Sequence, residues 1–485
     1  MMRSMYSAVA GLRAHQTKMD VIGNNIANVN TAGFKASNVV FSDVYYQTLQ
    51  SATGANPTTG AAGQNARQIG LGSKLTSIAP NMTAQGGAQA TDNAMDLMLS
   101  GDSFFIVNNA GTNCFTKAGA FSIDAVGNLC TSSGALVMGW GIDEAGEIVR
   151  GQVTNLAVMG ADNLYSSPAA TSETYLSGNI DATDPQLTGE GVPFTVNFYD
   201  NLGYSYTAVF AVKQAADATG TATYKATLTD VLNADSKSIL VTETPGTNGA
   251  ASTFAPSETI PSIEGGTSGT IAVDSTGKVT STGVEFDLKF NTTSGKFESV
   301  GTSTVTDPND PKYGILNFKI AGAEFPEAGI NIDFSTLTQY STNGTSSITS
   351  TRGNKLNGAG AGTSFGNLKG VAIGADGIIS GTYDNGTKKV LGQIAVATFS
   401  NPSGLEAIGD RMFVETSNSG TFDGIGQDVV QGGGSMLSGY LEMSNVDLSN
   451  EFTNLITTQR GFQANSRIIT TSDSLLEELV NLKRK

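Results

Sequence analysis

Few residues in this sequence could carry out chemistry. Its only histidine, His15, must serve any Ser–His–Asp or Cys–His arrangement, and nothing around it supplies a nucleophile elbow. HExxH, CxxC and GxxxxGK[ST] do not occur. The GAGAG run at Gly358–Gly362 lacks the spacing and the strand–helix setting of a dinucleotide loop. Asp307, Asn309 and Asp310 resemble part of a calcium loop without its glycine or terminal glutamate. Cys114 and Cys130 could pair, but two cysteines make no framework, and packing or free thiols is the simpler reading. The acids are numerous and scattered, and no carboxylate pair stands out. The residues therefore point to no catalytic site, no cofactor and no metal.

Composition suits a structural role. Only 14% of the 485 residues are charged, against about 25% in ordinary soluble domains. The 59 glycines favour short strands and turns, and 39% apolar residues with 22 phenylalanines argue for real cores rather than disorder. The length suggests about three domains. Acids outnumber bases by 43 to 27, with the excess between the ends: residues 1–35 carry a net +3 and residues 440–485 a net −1. So acidic an interior would repel phosphate backbones, which argues against nucleic-acid partners. No stretch approaches 18 apolar residues, so no membrane insertion is expected, and the N-terminus shows no leader-like apolar region.

The elements that must position whatever function exists are helical at the ends and β between. Met5, Leu12, Met19 and Ile26 recur every seven residues, with Ile22 in the companion row. At the other end Leu448, Leu455, Phe462, Ile469 and Leu476 repeat the spacing, with Phe452 and Val480 in a second row. Residues 3–28 and 446–482 would form helices of about 39 and 55 Å. Sustained heptads predict coiled-coil packing. A hairpin closing a globular domain is the alternative. Burial between chains is favoured, because no third helix completes a bundle.

Phe194–Lys213 reads as two strands around Asp200–Gly203, and Asp376-Gly377 and Asn385-Gly386 read as hairpin turns. Val284–Phe290 and Ile330–Phe334 are further strands. Residues 214–283 are expected to form a thin exposed domain or loops, and Thr342–Gly366 a linker.

Four segments resemble the rod and hook family of bacterial flagellar axial proteins. The first is NNIANVNTAGFK, Asn24–Lys35. Asn24, Asn25, Asn28 and Asn30 there can satisfy backbone groups at a helix end, Gly33 permits a turn and Phe34 can anchor the next segment. The second is Gly439–Arg484, where Asn445–Ser449 offer capping groups. Asp96–Trp140 and Gly370–Gly420 resemble the family's inner β unit and its returning half.

The resemblance implies a mainly β multi-domain body with paired N- and C-terminal α-helices and a nested domain arrangement. Residues 1–30 would be an axial helix and 31–75 an extended connecting segment. Residues 76–165 and 367–425 would form an inner β domain, 166–366 an outer insertion, and 426–485 a connection and second axial helix. It also implies a non-enzymatic subunit of the flagellar hook that polymerises with itself into a curved tube. Its partners would be distal rod, hook cap and hook–filament junction proteins, and it would leave the cell by the flagellar export apparatus. A distal rod subunit is the alternative, because Tyr45–Arg67 resembles a stiffening segment of that rod.

Overall fold

The structure is a computed structural model. It describes every residue except 1, 55–59, 61, 144–145, 216–221, 245–251, 258–260, 264–269, 303–304, 306, 308–309 and 483–485. Asn309 of the acidic run thus lies outside the described residues. The chain forms two units: residues 1–164, 369–382 and 388–485 in the first, and 165–368 with 383–387 in the second.

In the first unit, strands from the two halves of the sequence pair with one another. Lys388–Ile394 pairs beside Leu136–Trp140, and Met412–Val414 beside Thr112–Thr116. Ser435–Ser438 pairs with Leu97–Ser100, and Tyr440–Glu442 with Ala88–Ala90. The central strand Phe104–Asn109 opens with four buried residues because both faces are covered. Phe104 and Ile106 join Phe115 and Trp140, while Phe105 and Val107 join Leu97, Val137 and Ile394. Cys114 and Cys130 are buried free thiols. Residues 31–75 are more than an extended connection. Ser37–Asp43 pairs with Ser73–Pro80, and Tyr46–Gln50 with Arg67–Gly70, making an antiparallel ribbon.

The second unit has two five-stranded sheets over one core. Val192–Tyr199 alternates inward Val192, Phe194, Val196 and Phe198 with outward residues, and pairs with Ser205–Gln214 across the expected turn. Phe194 stacks on Phe210 at 5.0 Å between ring centroids.

Two expectations are corrected here. Residues 214–283 include the twelve-residue strand Ala222–Asn233, which lies mid-sheet and buries Tyr224, Ala226, Leu228 and Val231. The supposed linker contains Ser347–Arg352, paired along Glu173–Asn179. In Ala222–Asn233 a bulge opposite Val209 and Phe210 breaks the alternation between Leu228 and Val231, and Ser347–Arg352 carries a single apolar residue, Ile348.

Asp181 ties the second unit's 342–346 loop in place. Its carboxylate accepts backbone N–H groups of Thr183 at 2.9 Å, Thr342 at 2.6 Å and Gly344 at 2.8 Å. These donors hold its pKa far below the ordinary carboxylate range. A depressed carboxylate pKa stabilises the fold above the unfolded value and loses that contribution as pH falls. Asp181→Asn is therefore expected to speed hydrogen exchange at 342–346 at neutral pH and to flatten the acid-induced loss of protection. Unchanged exchange in the variant would contradict this role.

Candidate functional site: the joined chain ends

Helix α1, Met2–Ala27, and helix α2, Leu448–Leu482, pack along each other within one chain. The expected pairing of the N- and C-terminal helices is present, and the two helices cover part of each other within the chain. Their register is antiparallel. Gly11 abuts Asn465, Gly461 abuts His15, and the Asn25 amide donates to Glu451 Oε1 at 3.1 Å. The residue numbers of all three pairs sum to 476, as a single unbroken register requires.

Small residues permit the close approach. A Cβ on Gly461 would lie 2.8 Å from His15 Nε2, and one on Gly11 would lie 2.7 Å from Asn465 Nδ2. His15 thus has a packing role, its ring edge-on to Phe41 at 6.3 Å. Burial lowers its pKa, and nearby Lys18 lowers it further.

The heptad residues are only partly covered. Of the expected packing residues, Ile22 is buried, while Met5, Leu12, Met19, Ile26, Leu455, Phe462, Ile469 and Leu476 are half-buried. Leu448, Phe452 and Val480 are exposed, as are Ile456, Ile468, Leu475 and Leu479, which lie outside the two rows read from the sequence. A helix pair in an ordinary closed domain would not leave so many large apolar side chains in water.

Where α1 ends, the asparagines divide their work. Asn28 Nδ2 donates back to Asn24 O at 2.9 Å, satisfying a terminal carbonyl. Asn25 is buried and exchanges two 3.0 Å bonds with the Ser37 backbone, so it joins α1, α2 and the strand Ser37–Asp43. Asn24 and Asn30 are exposed and Phe34 is half-buried. Gly33 has φ +72°, donates its N–H to Glu442 O at 2.7 Å, and lies where a Cβ would come within 2.9 Å of the Ala118 backbone.

Beside it sits a buried ion pair that no local sequence signal reveals. Lys35 Nζ meets Glu442 Oε1 at 2.8 Å, with side chains 2% and 1% exposed. Lys35 also donates to Ala84 O at 2.8 Å, and Glu442 Oε1 accepts from Gly86 N at 2.9 Å. Glu442 Oε2 has no hydrogen-bond partner among the described residues. Asn445 does not cap α2. It accepts from Ala36 N at 2.7 Å and donates to Asn81 O and Ala84 O, leaving the cap to Asp447, whose Oδ1 accepts from Ser449 N at 2.9 Å. Lys117 is buried nearby and donates to Gly101 O at 2.5 Å. Its burial pulls the ammonium pKa from 10.5 down to about 8, with Glu442 opposing that fall and Lys35 adding to it.

Nothing in this arrangement groups a nucleophile, a base and an open substrate site. Among the described residues there is no cluster of His, Cys, Asp and Glu able to hold a metal, and no helix long and apolar enough to cross a membrane. What the geometry provides is a splice of the chain's two ends that leaves apolar helix surface uncovered.

Known proteins carry the same parts. Residues 5–35 match the flagella basal body rod protein family, 98–160 the flagellar hook protein FlgE/F/G D1 domain, and 437–482 the flagellar basal body rod FlgEFG protein C-terminal family. Flagellar hook protein FlgE of Borreliella burgdorferi is 33% identical over the whole of both chains, and that of Treponema pallidum likewise. The chain belongs to the flagellar hook protein family. Flagellar basal-body rod protein FlgG of Bacillus subtilis is similar over full length at 26% identity. The family models at the two termini cover the spliced segments, including Lys35, Gly33 and Glu442.

Two outcomes test the splice. Glu442→Ala leaves Lys35 buried without its partner, which should lower unfolding stability by about 3–5 kcal/mol. The only tryptophan, Trp140, is buried in this unit and reports its unfolding by fluorescence. Between pH 8 and 10.5 the unfolded chain holds the Lys117 proton more tightly than the folded one, so this residue makes stability rise with pH across that window. Lys117→Met should remove that part of the slope in urea titrations, and an unaltered slope would count against the assignment.

Proposed function

We propose that this chain is the repeating subunit of a flagellar hook, polymerising into a curved tube that transmits motor torque to the filament. The observation that carries the reading is the spliced helix pair with apolar residues left in water, in a chain whose full-length relatives at 33% identity are named hook proteins. The rod alternative is the weaker one, since the rod relative reaches 26%.

In this reading Met5, Leu12, Met19, Ile22 and Ile26 hold α1 to α2, together with Leu455, Phe462 and Ile469, while Leu476 lies just past the end of α1. Leu448, Phe452 and Val480 face other copies. Helices α1 and α2 lie toward the tube axis. Burying apolar helix surface between copies supplies the driving force, which needs no cofactor and no catalysis. The second unit's surface is rich in threonine, serine and asparagine, so its contacts can exchange partners as the tube bends. The subunit works outside the cell, reached through the flagellar export apparatus, and meets distal rod, hook cap and hook–filament junction proteins at the ends of the polymer.

Phe452→Asp and Ile456→Asp each place a charge on exposed helix surface where another copy would desolvate it. Neither substitution should alter Trp140 fluorescence or helical circular dichroism, and both should abolish tubes in electron micrographs. Normal tubes from either variant would remove the proposed role of this face.

A further inference from the structure

The helix register has a second consequence. It sets Met2 of α1 opposite Ser474 of α2, so the last two turns of α2 face no part of α1. Leu475, Leu479 and Leu482 in those turns are 55%, 49% and 68% exposed. With Glu478 they occupy positions i, i+3, i+4 and i+7, so three leucines and one carboxylate share a helix face. At the opposite end of the hairpin lies a cleft of about 590 Å³. Phe34, Ile78, Leu405 and Met412 line its apolar side, and Asn28 and Arg411 line its polar side. Arg411 sits at a hairpin tip where two successive non-glycine residues, Asp410 and Arg411, hold φ of +49° and +61°. Its guanidinium reaches Ala32 O at 3.4 Å, which orients it at the cleft.

Resting on the self-assembly reading above, we infer that the last two turns of α2 insert into this cleft on a second copy of the chain, with Glu478 meeting Arg411. Three observations select a second copy as the occupant. The two surfaces share apolar side chains, and Glu478 on the first can meet Arg411 on the second, whose lining also holds Asp410 and the Glu442-paired Lys35. They lie at opposite ends of α1, about 39 Å apart at 1.5 Å per residue, so one chain cannot join them itself. Finally, a contact between two different surfaces at the two ends of one element is heterologous, and repetition of such a contact builds an open helical polymer wherever its rotation does not close into a ring. Leu479 and its neighbours on α2 thus act as a plug, and the segment around Arg411 as its socket.

The test uses the full chain carrying Leu479→Cys and Ala407→Cys, Ala407 being an exposed residue of the cleft lining. The native cysteines are buried. After assembly and mild oxidation, the double variant should lose its monomer band to a ladder of multimers. An equal mixture of the two single variants should give dimers and no ladder, and each single variant alone should give neither. Tubes that form without a ladder would overturn the inference, as would dimers from Leu479→Cys alone, which would mean plug against plug. If a cysteine hinders assembly, the charge pair gives a second readout: Arg411→Glu should slow tube formation and Glu478→Arg in the same chain should restore it. Failure of the restoring change would overturn the inference. A wild-type chain that forms no tubes would instead defeat the self-assembly reading itself.

Discussion

The fold depends on bringing Lys35 to Glu442, two residues 407 positions apart whose charges meet at 2.8 Å out of reach of water. Closing a loop of that length costs on the order of 5 kcal/mol in chain entropy by (3/2)RT ln n. A buried ion pair alone does not offset that cost, since desolvation consumes most of its attraction. The closure holds because many groups meet at the same place. Gly33 bonds the Glu442 carbonyl, Asn445 bonds Ala36, Asn25 bonds Glu451, and the strand pairs on either side zip the two halves together. Removing the acid leaves an uncompensated ammonium, so the pair acts mainly by making any other juxtaposition of the ends unfavourable.

The range of each interaction decides how much of this was legible in the sequence. The helices were readable because a seven-residue apolar period is local, and the turn at Asp200–Gly203 because its backbone requirement falls on adjacent residues. Lys35, Glu442 and Arg411 were not readable, because each is a single charged residue whose meaning lies in a partner hundreds of positions away. The glycines of the helix pair were similarly silent. Gly11 and Gly461 look like weak points in a helix until Asn465 and His15 are seen opposite them. The asparagine run reads as a helix terminator, which describes Asn28, while Asn25 joins three elements.

The expectation that the heptad stripes are buried between chains was half of a larger arrangement. One side of each helix closes the chain on itself, and the residues flanking that seam, including Phe452, Ile456 and Ile468, stay in water. A monomer so built is folded but unfinished, which is the physical state a polymerising subunit needs. Self-closure orders the helices before partners arrive and so reduces the entropy that assembly must overcome. The second unit has its own continuous core, rich in phenylalanine.

A helical reconstruction of the assembled polymer by electron cryomicroscopy tests the central claim most directly. The account predicts a tube whose inner wall is made of α1–α2 pairs, each pair formed by the two ends of one chain. A tube in which α1 and α2 of one chain are separated, or in which the helix pairs lie on the outer surface in contact with solvent, would contradict it.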